Sequence, residues 1–452
     1  MMNFQNKNVL VLGAGISGRS VAEVLAIQGA AVVLNDSRQV DDTSAEFQKL
    51  KALNVAIITG QQDETLLQSV DFVVVSPGIT IELPLLAAAR EQGLTVMSEI
   101  EVAYRLCKAP IIAITGTNGK TTTTALTGEI LTAAGIHTVV GGNIGAALSQ
   151  EVRGIQEKGL VVAEISSFQL EGIINFRPRI AAVLNLTPDH IDRHHTLEGY
   201  QAAKERIFEN QTAADYLILN YDDAKVRSMA SRARSQIMYF SRQIEVPTGG
   251  YIKNGQIHIN WQGQSHMICD VKELKLLGNH NVENALAACC AAFLARVSPA
   301  VMAAVLRMFS GVAHRIEPVA TINDVAYYND SKATNPESSV KALEAFAGHI
   351  ILIAGGRDKN TDLTEFMTLV KAKVDHLILL GEAQTRFRAA AEQQGVANIH
   401  CVSSLEDAVA IAQLLARSPQ VVLLSPACAS YDMFTNYEER GKMFKQLVHR
   451  QA

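Results

Sequence analysis

The stretch at residues 111–124 (IIAITGTNGKTTTT) constrains the fold of this chain more than any other feature. Its apolar beginning, residues 111–114, predicts a buried strand, and the spacing of apolar residues further on predicts a helix over residues 122–134. Residues 116–121 (GTNGKT) lie between the two. A strand, a glycine loop, a Lys-Thr pair and a helix in this order are typical of a phosphate-binding loop.

The residues of this loop fit the binding of a nucleoside triphosphate. Glycines let backbone N–H groups approach phosphate oxygens, and the helix N-terminus adds the positive end of its dipole. Lys120 would reach the β- and γ-phosphates, and the Thr121 hydroxyl would face Mg²⁺. The full pattern has another glycine where this chain has Thr115. The alternative, a strand-to-helix turn that only needs glycines, does not explain the Lys-Thr pair. The predicted nucleotide contacts are Gly116, Thr117, Asn118, Gly119, Lys120, Thr121 and Thr122.

Composition limits the classes of protein that this chain can belong to. Its 452 residues, 48% of them hydrophobic, suggest about three domains of roughly 150 residues each. The net charge of −5 gives no reason to expect a nucleic-acid partner. No apolar run approaches the ~20 residues of a membrane span, and no secretory pattern opens the chain. The six cysteines lack Cys-x-x-Cys spacing. We therefore expect a cytoplasmic protein without membrane insertion. We also expect a monomer, which these features do not bear on.

The N-terminal stretch carries a second glycine loop. Residues 9–12 predict a strand, residues 13–18 (GAGISG) a glycine turn and residues 19–28 a helix, and Asp36 follows a second strand. This is the dinucleotide fingerprint, although a UDP conjugate would satisfy the same loop. Tight packing of strand and helix, without a ligand, is the other explanation. Residues 76–78 (SPG) end a further parallel-type strand, where ligands bind in such sheets.

Polar residues at predicted strand ends mark the middle of the chain. Glu164 ends a strand and is well placed to hold Mg²⁺, the alternative being a carboxylate that caps the next turn. His190 lies in a polar loop after another strand. Lys204 lies on a predicted helix over residues 200–210, where a lysine is normally a solvated surface charge. Asn281 and Asn284 share a helix face and could bind a base or ribose, or cap the helix.

The C-terminal part predicts a third parallel α/β domain, because each of its strands ends in small or polar residues. Lys332 lies in one such loop (residues 331–336) and Lys359 in another (residues 355–359). Both lysines would supply positive charge for an anionic substrate. Solvated surface lysines are the alternative.

Taken together, these stretches resemble the Mur ligase family of bacterial cell-wall enzymes. The resemblance implies an α/β fold of three domains. A Rossmann-like UDP-sugar-binding domain would span residues 1–101, a central P-loop ATPase-like domain residues 102–311, and a Rossmann-like amino-acid-binding domain residues 312–452. The stretches that carry the resemblance are GTNGKT (116–121), GGNIG (141–145), EISSFQLE (164–171), LTPDHIDRH (186–194), GNHNVEN (278–284), HR (314–315), NDSKATN (329–335), GGRDK (355–359) and SPACASYDMF (425–434).

The family's activity and site residues follow from the same resemblance. The stretches SSFQLE, SKATN and SPACAS are similar to the corresponding stretches of one kind of family member. Those members use ATP and Mg²⁺ to join D-glutamate to UDP-N-acetylmuramoyl-L-alanine through an acyl phosphate. The implied catalytic residues are Lys120, His190 and Lys204, and the implied metal ligands are Thr121, Glu164, His190 and Lys204, the last as a carbamate. Implied ATP contacts beyond the loop are Asn281, Asn284, Arg315 and Asp330. Implied contacts to the UDP substrate are Ile16, Ser17, Asp36, Ser37, Ser76, Pro77, Gly78, Asn143 and Ser166. Implied D-glutamate contacts are Lys332, Thr334, Lys359, Ser430 and Tyr437.

The sequence is also compatible with two other classes of function. The first is an NAD-dependent dehydrogenase, which the first glycine loop and Asp36 would suit but which leaves residues 116–121 and Glu164 unexplained. The second is a non-catalytic nucleotide sensor. A folylpolyglutamate synthase shares GTNGKT and HR, but the complete N-terminal glycine loop argues against it.

Overall fold

The apolar runs of the sequence form the central strands of three separate β-sheets. The computed structural model describes residues 4–40, 42–143, 147–358 and 360–450. The chain divides into two units. The first comprises the chain up to Val271 together with Glu283–Leu306, and the second comprises Lys272–Val282 and the chain from Arg307 onward. Because the first unit contains two of the sheets, the predicted boundaries after residues 101 and 311 stay a prediction.

The first sheet is the predicted Rossmann-like domain. Its five strands are all parallel, in the order β3-β2-β1-β4-β5. They are β1 (Asn8–Leu12), β2 (Ala31–Asp36), β3 (Ala56–Thr59), β4 (Phe72–Val75) and β5 (Thr95–Ser98), and the helices are α1 (Ile16–Ile27), α2 (Ala45–Ala52), α3 (Pro84–Glu91) and α4 (Glu99–Leu106), with a 3₁₀ turn at Glu64–Leu67. Helix α1 begins three residues before the predicted start, because only the first glycines form the turn. A Cβ at Gly18, inside the helix, would overlap the Gly13 carbonyl oxygen.

The second sheet also lies in the first unit. Its order is β14-β13-β12-β11-β10-β9-β6-β8-β7, parallel except for the pairs β12–β13 and β13–β14. Those pairs are the hairpins predicted for residues 251–270. The strands are β6 (Ile111–Thr115), β7 (Thr138–Gly142), β8 (Leu160–Glu164), β9 (Ile180–Val183), β10 (Tyr216–Asn220), β11 (Gln236–Ser241), β12 (Gly249–Lys253), β13 (Gln256–Trp261) and β14 (Gln264–Asp270).

Helices connect and cover these strands. They are α5 (Lys120–Ala133), α6 (Leu148–Glu151), α7 (Ser167–Leu170), α8 (Ile191–His194), α9 (Leu197–Glu205), α10 (Ala224–Ser228), α11 (Asn279–Leu294) and α12 (Pro299–Met308), with 3₁₀ turns at Val152–Gly154, Arg206–Phe208, Met229–Arg232 and Val271–Glu273. Helix α5 begins directly after the glycine loop, at Lys120, two residues before the predicted start at residue 122. The helix predicted over residues 200–210 begins three residues earlier, as α9 at Leu197, and after Glu205 it continues as a 3₁₀ turn that ends at Phe208.

The third sheet forms the second unit. Its order is β15-β16-β20-β17-β18-β19, and only the edge pair β15–β16 is antiparallel. The strands are β15 (Glu317–Ile322), β16 (Val325–Asn329), β17 (Ile350–Gly355), β18 (Val374–Leu380), β19 (Ile399–Cys401) and β20 (Val421–Leu424), and the helices are α13 (Pro336–Glu344), α14 (Thr364–Lys373), α15 (Gln384–Gln393), α16 (Leu405–Leu415) and α17 (Tyr437–His449). Strand β17 is buried throughout, because helices cover both faces. The predicted α/β class is confirmed.

Within the described residues, no helix combines the length and apolar character that crossing a bilayer requires.

Candidate active site

The phosphate-binding loop lies where the central strands of the second sheet end. Strand β6 pairs with β8 on one side and β9 on the other, so that Ile114 lies beside Glu164 and Thr115 beside Val183. The loops that follow these three strands therefore leave the same edge of the sheet, as in other parallel α/β folds. Gly119 precedes α5 with φ of 82°, a left-handed conformation that favours glycine. The predicted strand, loop and helix are confirmed.

Lys120 folds back over its own loop. Its Nζ donates to the carbonyl oxygens of Gly116 at 2.8 Å and of Thr117 at 2.7 Å. The amino group thus lies against the backbone that the sequence predicts as the phosphate cradle. Thr121 and Thr122 follow at the start of α5, both buried. The Thr122 hydroxyl has no hydrogen-bond partner among the described residues.

Asn185 shapes the loop, and the sequence analysis gave it no role. Its Oδ1 accepts from the Asn118 backbone N–H at 2.8 Å, and its Nδ2 donates to the Asn118 carbonyl at 3.0 Å. The Thr117 hydroxyl donates to the Thr187 carbonyl at 3.2 Å. The segment after β9 therefore holds the glycine loop through paired side-chain and backbone contacts. A strand-end asparagine was the only signal in the sequence.

Lys204 is buried, which corrects the expectation of a solvated surface lysine. Only 1% of the residue is exposed, and its Nζ donates to the Gly116 carbonyl at 2.8 Å. The same nitrogen lies 4.3 Å from the centre of the Tyr200 ring. Burial, with the nearby charge of Lys120, lowers the pKa of Lys204 well below its usual 10.5. The structure thus brings together Lys120, Lys204 and the glycine loop.

Glu164 presents an oxygen without a hydrogen-bond partner. Its Oε1 accepts from Asn143 Nδ2 at 2.9 Å, whereas its buried Oε2 has no hydrogen-bond partner among the described residues. The capping alternative for Glu164 is wrong. Ser166 caps α7 instead, since its Oγ accepts from the Gln169 N–H at 3.3 Å.

A metal site made of protein ligands alone is not present in the part of the chain that the structure describes, where no three His, Cys, Asp or Glu side chains cluster suitably. A cation beside Glu164 would therefore need further ligands from phosphate or water oxygens, which is usual for Mg²⁺.

His190 lies at the start of the one-turn helix α8 in a left-handed conformation, with φ of 53°. Its ring centre is 4.7 Å from that of Phe168, and the side chain is 45% exposed. Partial burial lowers the pKa of His190 from 6.5. The imidazole is therefore mainly neutral at pH 7, with a lone pair available to bind a metal.

Arg193 connects the predicted substrate loop of the first sheet with α8. Its Nη2 donates to the Ile79 carbonyl at 2.7 Å and to Glu171 Oε2 at 2.5 Å. Its guanidinium carbon lies 4.8 Å from the centre of the Phe168 ring. Since Phe168 also contacts His190, Arg193 fixes the segment that carries the predicted metal ligand. The sequence analysis gave Arg193 no role.

The N-terminal glycine loop is organised by Asp36. Its Oδ2 accepts from the Ala14 backbone N–H at 3.0 Å, and Arg38 donates from Nε and Nη2 to the two carboxylate oxygens, each at 3.1 Å. The hydrogen bonds from Arg38 lower the pKa of Asp36 to about 2. In the dehydrogenase hypothesis this carboxylate would bind a ribose hydroxyl. In this structure the carboxylate of Asp36 accepts hydrogen bonds from the backbone of Ala14 and from the side chain of Arg38.

Two open spaces adjoin this loop. A cleft of about 440 Å³ is lined by Gly15, Arg19, Arg38 and Phe47 among others, and Ile16 and Ser37 lie exposed nearby. Ser17 is half-buried in the first turn of α1. A cavity of about 130 Å³ is lined by Ser76, Pro77, Phe168 and Glu171 among others, with Gly78 exposed beside it. Ser76 Oγ donates to the Gly13 carbonyl at 3.1 Å, so the two glycine-bearing segments are held together.

The two asparagines of α11 are both buried, but they belong to different units. In the first unit, Asn284 Oδ1 accepts from the Thr123 hydroxyl at 3.2 Å, beside the phosphate loop. In the second, Asn281 Nδ2 donates to the Leu277 carbonyl at 2.7 Å. Helix α11 begins at Asn279, so Asn281 lies inside the helix, and the capping alternative is wrong for Asn281.

In the second unit, Asp330 is buried after β16. It accepts from Ser425 Oγ at 2.7 Å and from the Ile316 N–H at 3.2 Å, and burial raises the pKa of Asp330 to about 7. Arg315 lies near enough to act on this pKa, and its Nε is buried without a hydrogen-bond partner among the described residues.

The predicted D-glutamate residues lie on neighbouring segments of the second unit. Lys332 Nζ is 5.6 Å from the centre of the Tyr437 ring, and Thr334 follows in the same loop, half-buried. Ser430 is buried after β20. Asn335 caps α13, as the Asx-turn alternative for that residue expected. Lys359 lies outside the described residues.

Comparison with known proteins matches all three parts of the chain to one family. The matching descriptions are "Mur ligase MurD-like, N-terminal domain" at residues 7–98, "Mur ligase middle domain" at 114–292 and "Mur ligase, glutamate ligase domain" at 314–428. A protein of Pelotomaculum thermopropionicum named UDP-N-acetylmuramoylalanine--D-glutamate ligase is 45% identical over 99% of this chain and 98% of its own length. One of the same name from Koribacter versatilis is 44% identical over 100% of this chain and 99% of its own.

Solved structures agree at the level of the fold. MurC from Thermotoga maritima, a UDP-N-acetylmuramate-alanine ligase, matches with a TM-score of 0.62 at 19% identity, covering 99% of this chain and 100% of that one. A pseudomurein peptide ligase type C from Methanothermus fervidus also gives 0.62, at 18% identity, covering 99% and 100%. Since close relatives cover nearly the whole chain and the three domain descriptions follow in order, this chain belongs to the Mur ligase family.

Proposed function

We propose that this chain is an ATP-dependent ligase that joins D-glutamate to UDP-N-acetylmuramoyl-L-alanine. The observation that carries the proposal is the 45% identity, over 99% of the chain, to a protein named for that reaction. The half-buried Lys120 and the buried Lys204, which both donate to the glycine loop, support the phosphoryl-transfer part. We include a cytoplasmic location and a monomeric state in the proposal.

The reaction has two steps. A carboxylate oxygen of the alanyl group attacks the γ-phosphorus of ATP, the bond to the β-phosphate oxygen breaks, and ADP leaves. The amine of D-glutamate then attacks the acyl carbon, the bond to the phosphate oxygen breaks, and the nitrogen loses a proton. Both steps crowd anions together, so the protein's task is to offset negative charge and align the reacting atoms.

Residues of the first unit would serve the phosphoryl transfer. Lys120 would move from the Gly116 and Thr117 carbonyls to phosphate oxygens, and the backbone N–H groups of residues 116–122 would cradle the phosphates. Asn284, beside the loop, would contact the adenosine. From the second unit, Asn281, Arg315 and Asp330 are further proposed ATP contacts.

The residues around Glu164 fit Mg²⁺ by donor type. The buried Oε2 of Glu164, which has no hydrogen-bond partner among the described residues, would gain from a positive partner, and the Thr121 hydroxyl would supply another oxygen. His190 offers a nitrogen, a donor that Mg²⁺ prefers less than oxygen. When bound, Mg²⁺ would offset the negative charge of the ATP phosphates.

Lys204 would act as a carbamate. Burial and the charge of Lys120 lower the pKa of Lys204, which favours its neutral form, and a neutral amine can attack CO₂, forming an N–C bond and releasing one proton. The product carries a carboxylate-like group beside the glycine loop. This conversion gives a reason for burying a lysine there, because it places an anion, and not a second amino group, beside Lys120.

The other substrates would bind at the remaining predicted residues. The UDP part fits the cleft beside Asp36, Ser37 and residues 15–17, where Arg19 and Arg38 supply positive charge for a diphosphate. Residues 76–78, Asn143 and Ser166 would follow along the sugar and alanyl parts. D-glutamate would bind Lys332, Thr334, Lys359, Ser430 and Tyr437.

The test is a coupled measurement of phosphate release. The purified chain is mixed with ATP, Mg²⁺ and UDP-N-acetylmuramoyl-L-alanine, together with D-glutamate, L-glutamate or no amino acid. We expect release that depends on D-glutamate. Release with L-glutamate alone would assign a different amino-acid substrate, and no release from folded protein would refute the proposal.

A further inference from the structure

Arg440 is a buried arginine in the second unit for which the mechanism above gives no role. It lies in the first turns of α17, and 2% of it is exposed. Its Nε donates to Ser331 Oγ at 2.9 Å, and its Nη2 donates to the Ser331 carbonyl at 2.8 Å. Its Nη1 donates to the carbonyls of Cys428 at 3.2 Å and Ala429 at 3.3 Å. One guanidinium thus binds the segments that follow β16 and β20.

The partners of this arginine are unusual for a buried charge. Buried charges are normally paired with an opposite charge, because the loss of hydration is costly. Among the described residues, every hydrogen-bond acceptor of Arg440 is a carbonyl or hydroxyl oxygen, and none is a carboxylate. Burial lowers the pKa of Arg440 to about 10, so the group stays charged at neutral pH. A positive charge is therefore kept in the interior of this unit, where Asp330 and Asp432 lie near enough to act on it through their charge but accept none of its hydrogen bonds given above.

The two segments held by Arg440 carry the proposed D-glutamate residues. Ser331 directly precedes Lys332, and Ala429 directly precedes Ser430. Ser331 Oγ also donates to the Tyr437 carbonyl at 2.8 Å, which fixes the start of α17. Lys332, Ser430 and Tyr437 therefore each adjoin or contain an atom that Arg440 or its partner Ser331 binds.

We propose that Arg440 is a positioning residue that sets the affinity for the amino-acid substrate. It holds the segments before Lys332 and Ser430 in one arrangement, and its charge lies behind them. A planar guanidinium carries five donors in a rigid fork and so fixes two backbone segments in a defined geometry, whereas an ammonium group carries three donors on a flexible stem. A dicarboxylate amino acid, once its amine has lost a proton for attack, is a dianion and gains from a nearby positive charge. This inference rests on the proposed function and concerns how the amino acid is selected.

The experiment compares steady-state kinetics with each substrate varied in turn. Arg440→Met removes the charge and the donors but keeps a long apolar side chain, and Arg440→Lys keeps the charge alone. The matched control is Arg417→Met, because Arg417 is also bound to backbone carbonyls in this unit, those of Leu414 and Ala416, but is exposed. We expect Arg440→Met to raise KM for D-glutamate about tenfold or more while KM for ATP and the UDP substrate stays within about twofold.

The conservative variant and the control sharpen the result. Arg440→Lys should recover part of the rise in KM, and Arg417→Met should behave as wild type. A folded Arg440→Met protein with KM for D-glutamate within about twofold of wild type would overturn the inference. So would an equal rise of all three KM values, which indicates general loosening of the unit.

If Arg440→Met does not fold, a further variant tests whether Arg440 sets the affinity for D-glutamate. Ser331→Ala removes one contact of Arg440 and leaves the charge buried, and it should raise KM for D-glutamate in the same direction by a smaller factor. Unchanged KM in both Ser331→Ala and Arg440→Lys would overturn the inference. Failure of the wild-type chain to release phosphate with D-glutamate is a separate result, which refutes the proposed function itself.

Discussion

The burial of Lys204 leads to a prediction about stability as well as activity. Because its pKa is lowered, the folded chain binds fewer protons at this side chain than the unfolded chain does between the lowered pKa and 10.5. In that window the stability contributed by Lys204 rises with pH, by up to about 1.4 kcal/mol per pH unit. Lys204→Met, similar in volume and uncharged, lacks this dependence.

The expected result is a stability difference that shrinks as pH rises. Lys204→Met should unfold at higher urea concentration than wild type near pH 7, in buffer free of CO₂. As pH rises above 7 the difference should shrink, at a rate of no more than about 1.4 kcal/mol per pH unit. The measurement is urea denaturation followed by circular dichroism. Parallel pH profiles for the two proteins would refute the reasoning, since they would mean that Lys204 remains charged in the folded chain.

Adding bicarbonate distinguishes a carbamate at Lys204 from an unmodified amino group. A carbamate forms only in the folded state, so bicarbonate should raise the stability of wild type and leave Lys204→Met unchanged. Lys204→Ala should lose turnover and regain part of it with short-chain carboxylates, which can occupy the space of the carbamate. Wild-type activity in the unrescued variant would show that Lys204 has no part in the reaction.

Three further predictions concern the phosphate loop, the metal and the second unit. Lys120→Ala should lower kcat by about 10³-fold, or ~4 kcal/mol, through lost phosphate stabilisation, and an unchanged kcat in the phosphate-release assay would remove this role. Glu164→Gln should raise the Mg²⁺ concentration needed for half-maximal activity at least about tenfold, and an unchanged Mg²⁺ titration would exclude Glu164 as a ligand. Asp330 has a pKa raised to about 7, so its folded state holds an extra proton above the ordinary pKa of 3.8 and stability should fall as pH rises through this window. Asp330→Asn should flatten that fall in urea denaturation, and a profile identical to wild type would contradict it.

The fold was predictable because the chain marks its buried strands plainly. Continuous apolar runs such as Phe72–Val75 and Val421–Leu424 are strands of the same bounds in the structure, since both faces of a parallel sheet are covered. The glycine loop at residues 116–119 and the start of α5 were predictable because the φ of 82° at Gly119 leaves a recognisable requirement in the sequence. Local conformation and burial therefore accounted for what was predicted correctly.

Site residues were predictable from the sequence only where their contacts are with residues nearby in the chain. Lys204 looked like a surface lysine because its partner, Gly116, lies 88 positions away in the sequence. Arg440 is similar, with Ser331 at a separation of 109. Such burial is decided by packing between distant segments. The resemblance to the family assigned Lys204 its role, and residue patterns alone did not.

The contacts of Lys120 change what a nucleotide affinity would measure. Its amino group already donates hydrogen bonds to two carbonyls, those of Gly116 and Thr117, and a phosphate would have to replace these acceptors. Binding is an exchange of ligands at one nitrogen, and each hydrogen bond given up to the charged group is worth about 1.5–3 kcal/mol. The contribution of Lys120 to the affinity for ATP is then the small difference between two interaction free energies, that of its amino group with the backbone carbonyls and that with the phosphate oxygens. Substituting Lys120 would consequently change the affinity by less than the strength of the lysine–phosphate contact itself.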